Sequence, residues 1–360
     1  MTVKYTEDLR NGKNDEKTPN AFSAAKFVDD LLKDGSKVPC DNTIEEFEVN
    51  DIPKFYDAKK YKAGQNFYHK HVFALFFSKF LGLIVTLSSA SILAVLIMTK
   101  MSSSPMTAYR RYVATIFHVN LWYEHELTPD SKAMKSLRRI KSFHNSASMR
   151  SRKIERPPIT QTDMVLTQFG FMGFGIARTE MIGVYGATKE ELEGYIHFWR
   201  VIGSIMGIQD RFNMCRDSLE ETREICEELI NRVYRPYVAK KDKDFVEMTS
   251  YLTDGLWYTN PMLNYRVFVS FMYDMLQPKE CLNNNHESYF DLGFFERWYY
   301  KILYGLMYSL KYDICRLYHN FHHHLRMWII HWYPFLAVFK FGYKNAMVSI
   351  DINNVKTHAN

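Results

Sequence analysis

The chain has 360 residues, of which 24% are charged, 47% hydrophobic and 16% aromatic, a composition that excludes disordered, collagen-like and disulfide-scaffold proteins and can bury a large core. Its net charge of +6, from 46 Lys and Arg against 40 Asp and Glu, is too small and too dispersed for a nucleic-acid footprint. The five cysteines, Cys40, Cys215, Cys226, Cys281 and Cys315, make no CxxC pair, so they read as reduced thiols rather than a disulfide frame or a Cys-rich zinc site.

The first 30 residues hold no apolar run of the kind a cleavable secretory signal needs, and no N-x-S/T sequon occurs; the bulk of the chain is expected to face cytosol. Residues 1–52 form a polar arm with one short amphipathic stretch (Ala21 to Leu32) and an acidic cluster at Glu45 to Glu48. The composition then changes abruptly. Phe80 to Met98 is 19 residues without charge or proline, which meets the length rule for a transmembrane span over 80–98. A buried helix or helix pair is the competing reading, because Ser88, Ser89 and Ser91 interrupt the run. From Thr107 to Cys226 apolar residues recur at three- and four-residue spacing, so the centre is helical, with breaks at 102–105, 128–131, 151–158 and 183–188. Thr188 followed by Glu190 and Glu191 predicts a capped helix start. The last segment, 278–360, is crowded between Tyr289 and Phe341 with aromatic rings interleaved with Lys and Arg. Such a pattern suits either a helix on a bilayer surface or an aromatic layer packed on the core.

Three constellations carry chemistry. His319-Asn320-Phe321-His322-His323-His324 contains HxxHH, the spacing of one histidine box of membrane di-iron desaturases, yet the other boxes are missing. His144 shares a helical face with Leu137, Ile140 and Ala147; it is either a core histidine or an axial haem ligand rising into a dry pocket. Arg111 and Thr115 stand four apart and project on one helix face. They could together address a propionate, an oxygen species or a substrate, or be a surface arginine and a back-bonding threonine.

Several segments in one order, Met98 to Thr115, the SLRRIKSFH stretch ending at His144, Thr167 to Phe174 and Tyr195 to Cys215, resemble the latex clearing proteins, or rubber oxygenases, and the endoplasmic-reticulum-bound fungal oxygenases of mycophenolic acid biosynthesis. The likeness runs from about Pro53 to about Pro261. It implies an all-α, globin-like haem b domain, placed at 53–277, in which His144 binds the haem iron and Arg111 and Thr115 are the cofactor-binding and catalytic pocket residues. The implied activity is oxidative cleavage or oxygenation, by dioxygen, of an apolar isoprenoid or lipid-like alkene. A non-catalytic haem- or lipid-binding protein on the same scaffold is the alternative, and a membrane di-iron oxygenase the third. The resemblance also turns Phe80 to Met98 into core helices and leaves 278–360 as the membrane-surface anchor of an intracellular protein at the endoplasmic reticulum. His197, Trp199 and Arg200 are expected to serve packing and helix-helix bonding.

The chain departs from the family pattern in three places. Ala114 stands where a lysine can precede the threonine, no Asp or Glu occurs between Asp57 and Glu124, and Ser148 occupies the position of a common arginine, the nearest arginines being Arg150 and Arg152.

Overall fold

A computed structural model of the chain describes residues 22–41, 52–277 and 289–353. Among them every regular element is helical, with one isolated bridge between Pro39 and Thr160. The acidic cluster at Glu45 to Glu48 and Cys281 lie outside the described residues, and none of the other four cysteines is in a disulfide.

The polar arm contributes α1 (Ala24–Lys33), whose N-cap Ser23 accepts from the Lys26 amide and whose apolar stripe buries Phe27, Val28 and Leu31. Arg232 clasps it through Asp29 and the Ala25 carbonyl. Then come α2 (Ala58–Lys70), α3 (Val72–Thr86), α4 (Ala90–Thr99), α5 (Pro105–Glu124), α6 (Lys132–Lys153), α7 (Gln161–Ala177) and α8 (Lys189–Ile205). Helix α9 (Leu219–Leu229) passes through a π turn (Ile230–Tyr234) into α10 (Arg235–Ala239), followed by α11 (Lys243–Trp257) and α12 (Tyr265–Met275). The chain closes with α13 (Phe294–Ser309), α14 (Asp313–Trp332), α15 (Phe335–Phe341) and α16 (Tyr343–Ala346).

The predicted breaks are helix starts with explicit chemistry. Ser104 caps α5 with Pro105 at its first position and Thr107 completing a capping box, Ser131 caps α6, and Thr160 with Asp163 and Thr188 with Glu191 form capping boxes on α7 and α8. The apolar run 80–98 is not one helix: of the two readings left open it is the helix pair, not a straight span. Helices α3 and α4 meet at 92°, and no single helix among the described residues is long and apolar enough to cross a membrane. The interrupting serines build the corner: Ser88 Oγ donates to the Val85 carbonyl at 2.7 Å, and Ser91 Oγ to the Asp163 carboxylate at 2.5 Å.

Two helix pairs form the centre, α2 on α8 and α3 on α7. Each is closed by facing glycines. A Cβ on Gly64 would stand 2.5 Å from the Gly194 carbonyl oxygen, and one on Gly82 would come closer still to that of Gly170. No side chain fits between these backbones.

The C-terminal helices wrap this body. Leu303 and Met307 of α13 and Leu310 just after it are buried. Asn320 of α14 accepts from the Phe73 amide (3.2 Å) and donates to the Lys70 carbonyl (2.9 Å), stapling the α2–α3 joint. Tyr109 donates to the Ala346 carbonyl at 2.9 Å. The outer side of the same helices is bare, with Phe295 81% and Phe339 94% exposed.

Candidate functional site

Helices α5 and α6 pack side by side, which brings Arg111 and His144, two of the residues singled out by spacing, within electrostatic reach of each other. His144 sits in the middle of α6, one turn beyond Ile140. Its Nδ1 is buried with no hydrogen-bond partner, and no bond to either ring nitrogen occurs among the described residues. Burial, and next the charge of Arg111, push its pKa down to about 4, so the ring is neutral at pH 7 and keeps a free lone pair. The residue as a whole is half-buried.

Arg111 on α5 is close enough to depress His144 electrostatically. Burial lowers its own pKa, and its guanidinium makes one long hydrogen bond, 3.5 Å to Ser102 Oγ, and lies 6.0 Å over the Tyr112 ring. No carboxylate pairs with it among the described residues, consistent with the acid-free stretch of sequence around it. A half-buried cation with no counter-charge carries a desolvation cost that an anion would offset. Thr115, one turn on, donates to the Arg111 carbonyl at 3.0 Å. Its hydroxyl is thus the back-bonding one, bonded neither to the guanidinium nor to His144.

The departures from the family pattern acquire local explanations. Ser148 is buried and its Oγ accepts from the Ile159 amide at 3.1 Å, tying the α6–α7 connection where a long cation would not fit. Arg152 is turned away onto Asp41 at 2.7 Å. Arg150 is exposed. Neither substitutes for a cation after His144.

The residues expected to serve packing do so. His197 Nε2 accepts from the Asp57 amide (3.0 Å), Trp199 Nε1 donates to the Tyr123 hydroxyl (3.0 Å), and Arg200 binds Asp210 and Asp217 while covering the Phe55 ring. The histidine run on α14 splays round the helix: His319 packs at a tilt against Phe73, His322 against Tyr318 and His323 against Phe76. No three His, Cys, Asp or Glu side chains converge on a metal position among the described residues.

Spacing missed three buried groups. Lys79, the lone charge between Phe73 and Met98, lies 4.3 Å over the Tyr68 ring and donates to its hydroxyl at 3.2 Å; burial drops its pKa to about 7. Its isolation in an apolar run was the available signal. His118 faces α6, where Ser136 Oγ bridges its Nδ1 and the Trp122 indole at 2.8 Å each. His71 is wholly buried with both nitrogens unbonded.

The family model described as "ER-bound oxygenase mpaB/B′/Rubber oxygenase, catalytic domain" matches residues 68–281, more than half of the chain and including α5, α6 and all three site residues. The chain belongs to this oxygenase family. A solved structure of latex clearing protein in the closed state is similar at 13% identity, with 83% of this chain and 88% of that chain covered and a TM-score of 0.41. No curated protein matches.

Proposed function

We propose that this member of the ER-bound and rubber oxygenase family is a haem b-dependent oxygenase that acts on an apolar, isoprenoid or lipid-like alkene at a membrane surface. The observation that carries the reading is one pair: a neutral imidazole with an orphaned buried nitrogen at His144, beside a desolvated guanidinium without a carboxylate at Arg111. The donor set fits the cofactor. His144 would supply the axial ligand, and Arg111 the charge that a haem propionate or a developing anion needs. When bound, haem supplies the activation of dioxygen that no side chain can.

This chain's residues do the rest. On the same two helices Leu137 and Val113 are buried and Ile140 packs against the core, so the surroundings are apolar. Arg111 holds positive charge where the neutral His144 cannot, so charge that grows on a bound oxygen atom meets a preorganised donor. Thr115 keeps its lone pairs while its proton is spent on the backbone, which makes it an acceptor toward a substrate or a water. No carboxylate among the described residues pairs with Arg111 to act as a base there, which favours chemistry without allylic proton abstraction by the protein. Membrane association rests on the exposed aromatic face of α13 to α15, interspersed with Arg297, Lys301, Lys311, Lys340 and Lys344, a combination suited to an anionic headgroup layer.

The deciding experiment is an absorption spectrum with iron analysis of the purified protein and of His144→Ala. We expect one iron per chain and a Soret band in the native protein. His144→Ala should lose stoichiometric haem yet keep its helical circular dichroism. An unchanged Soret position and haem content in the variant overturns the ligand assignment.

A further inference from the structure

A cavity of about 290 Å³ lies between α3, the α11–α12 connection and the α13–α14 pair. None of Arg111, Thr115 and His144 lines it. Its walls combine the matched body with C-terminal helices that lie beyond residue 281, where the family match ends.

The wall chemistry is one-sided. Phe77, Phe80, Phe268, Leu303 and Met307 line it, all buried. The rim is open: Met262 is 60% and Tyr318 57% exposed. No Asp or Glu lines the cavity, and its charged wall residue is Arg326. That guanidinium is half-buried, and desolvation alone lowers its pKa. It has no hydrogen bond and no carboxylate partner among the described residues. The volume falls at the low end of the ~300–1,000 Å³ typical of small-molecule sites. A largely apolar slot with one unpaired cation in its wall is complementary to a hydrocarbon chain that carries one anion.

We propose that this cavity binds a single-chain amphiphile of the fatty-acid class, with the hydrocarbon among the α3 and α13 side chains and the carboxylate on Arg326. The planar guanidinium fork matches a carboxylate bidentately. One unit of positive charge balances a carboxylate, whereas a phosphate monoester brings close to two negative charges. His319 adds no compensating charge, because burial holds its imidazole toward the neutral form. The rim lies on the helices that expose the aromatic face: Ile302 and Tyr318 line the cavity, and Trp298 and Ile314, one turn before each, are exposed. A ligand leaving a bilayer that these helices touch would meet the opening directly. The cavity shares no residue with the proposed haem site, so it stands or falls apart from the haem reading.

The test uses full-length protein, palmitate and its uncharged counterpart hexadecanol, each displacing a fluorescent fatty acid. We expect one palmitate per chain, and hexadecanol bound about tenfold more weakly. Arg326→Gln should weaken palmitate by about the same factor and leave hexadecanol unchanged. Leu303→Trp, which fills the slot, and Ile302→Trp, which narrows its rim, should weaken both ligands. The two tryptophan variants guard against one that fails to fold. His144→Ala should bind palmitate as the native chain does. Palmitate binding unaffected by Arg326→Gln, or unaffected by both tryptophan variants, overturns the proposal. So does its loss in His144→Ala, which would move the ligand to the proposed haem site.

Discussion

Arg111 and His144 repel each other in the protonated state, and this makes their proximity measurable in haem-free protein. Arg111→Ala should raise the His144 pKa from about 4, though not to the ordinary ~6.5, because burial, the larger cause, remains. A histidine NMR titration that leaves His144 unmoved would separate the two groups. In haem-loaded protein the same variant divides two roles: turnover falling further than haem content marks action on the reacting atoms, and an equal fall marks propionate anchoring alone. His71 offers a stability test. Burial is the main cause holding its folded pKa at about 4, against ~6.5 in the unfolded chain. Between those values the unfolded chain binds a proton that the folded one refuses. Stability is therefore full above pH ~6.5 and declines until the pH reaches about 4, by roughly 3 kcal/mol for this one group. His71→Leu removes two unbonded nitrogens at similar volume. Denaturant melts at pH 7.5 and 5 should show a smaller loss in the variant, and an equal loss would refute the assignment.

At the scale of elements, the contact of α3 with α7 stands on Gly82 and Gly170. Gly82→Val drives a branched side chain into the facing backbone and should cost at least about 1–3 kcal/mol of unfolding free energy, read from a shift in the denaturation midpoint. A midpoint within error of the native one would mean that the helices can part at no cost. Helix starts were legible in the sequence because caps are local: Ser131, Thr160 and Thr188 each bond to an amide three residues away. The corner between α3 and α4 was legible only as an ambiguity, since a run that is apolar on every side has no periodicity to show where it turns. Ser91 betrays the corner only through Asp163, 72 residues further on. The candidate site divides in the same way. Spacing placed Arg111 with Thr115, and His144 with Ile140, but which face of α5 meets which face of α6 is decided by tertiary packing. Lys79 and His71 were missed because their environments are built by partners from other helices.

For the molecule as a whole, the C-terminal helices have two unlike sides, and this dictates how membrane attachment should be tested. Deleting them would uncover the apolar surface of α3 and α12 that Leu303, Met307 and Tyr304 cover, and would report on aggregation. Replacing Phe294, Phe295, Trp298 and Phe339 with serine leaves that inner side intact. Partitioning onto vesicles containing phosphatidylserine should then fall at least about tenfold, and undiminished binding would remove this face from the membrane. The right-angled fold of the apolar run carries a consequence for biosynthesis. Residues 80–98 emerge from the ribosome well before α7, whose Gly170 must seat against Gly82 to hide them. In that interval the nascent chain displays a run of nineteen residues without charge or proline, the length that insertion machinery accepts. The serines at the turn are then more than structural punctuation: they dilute the signal during the interval when the chain has no other means to decline an invitation into the bilayer.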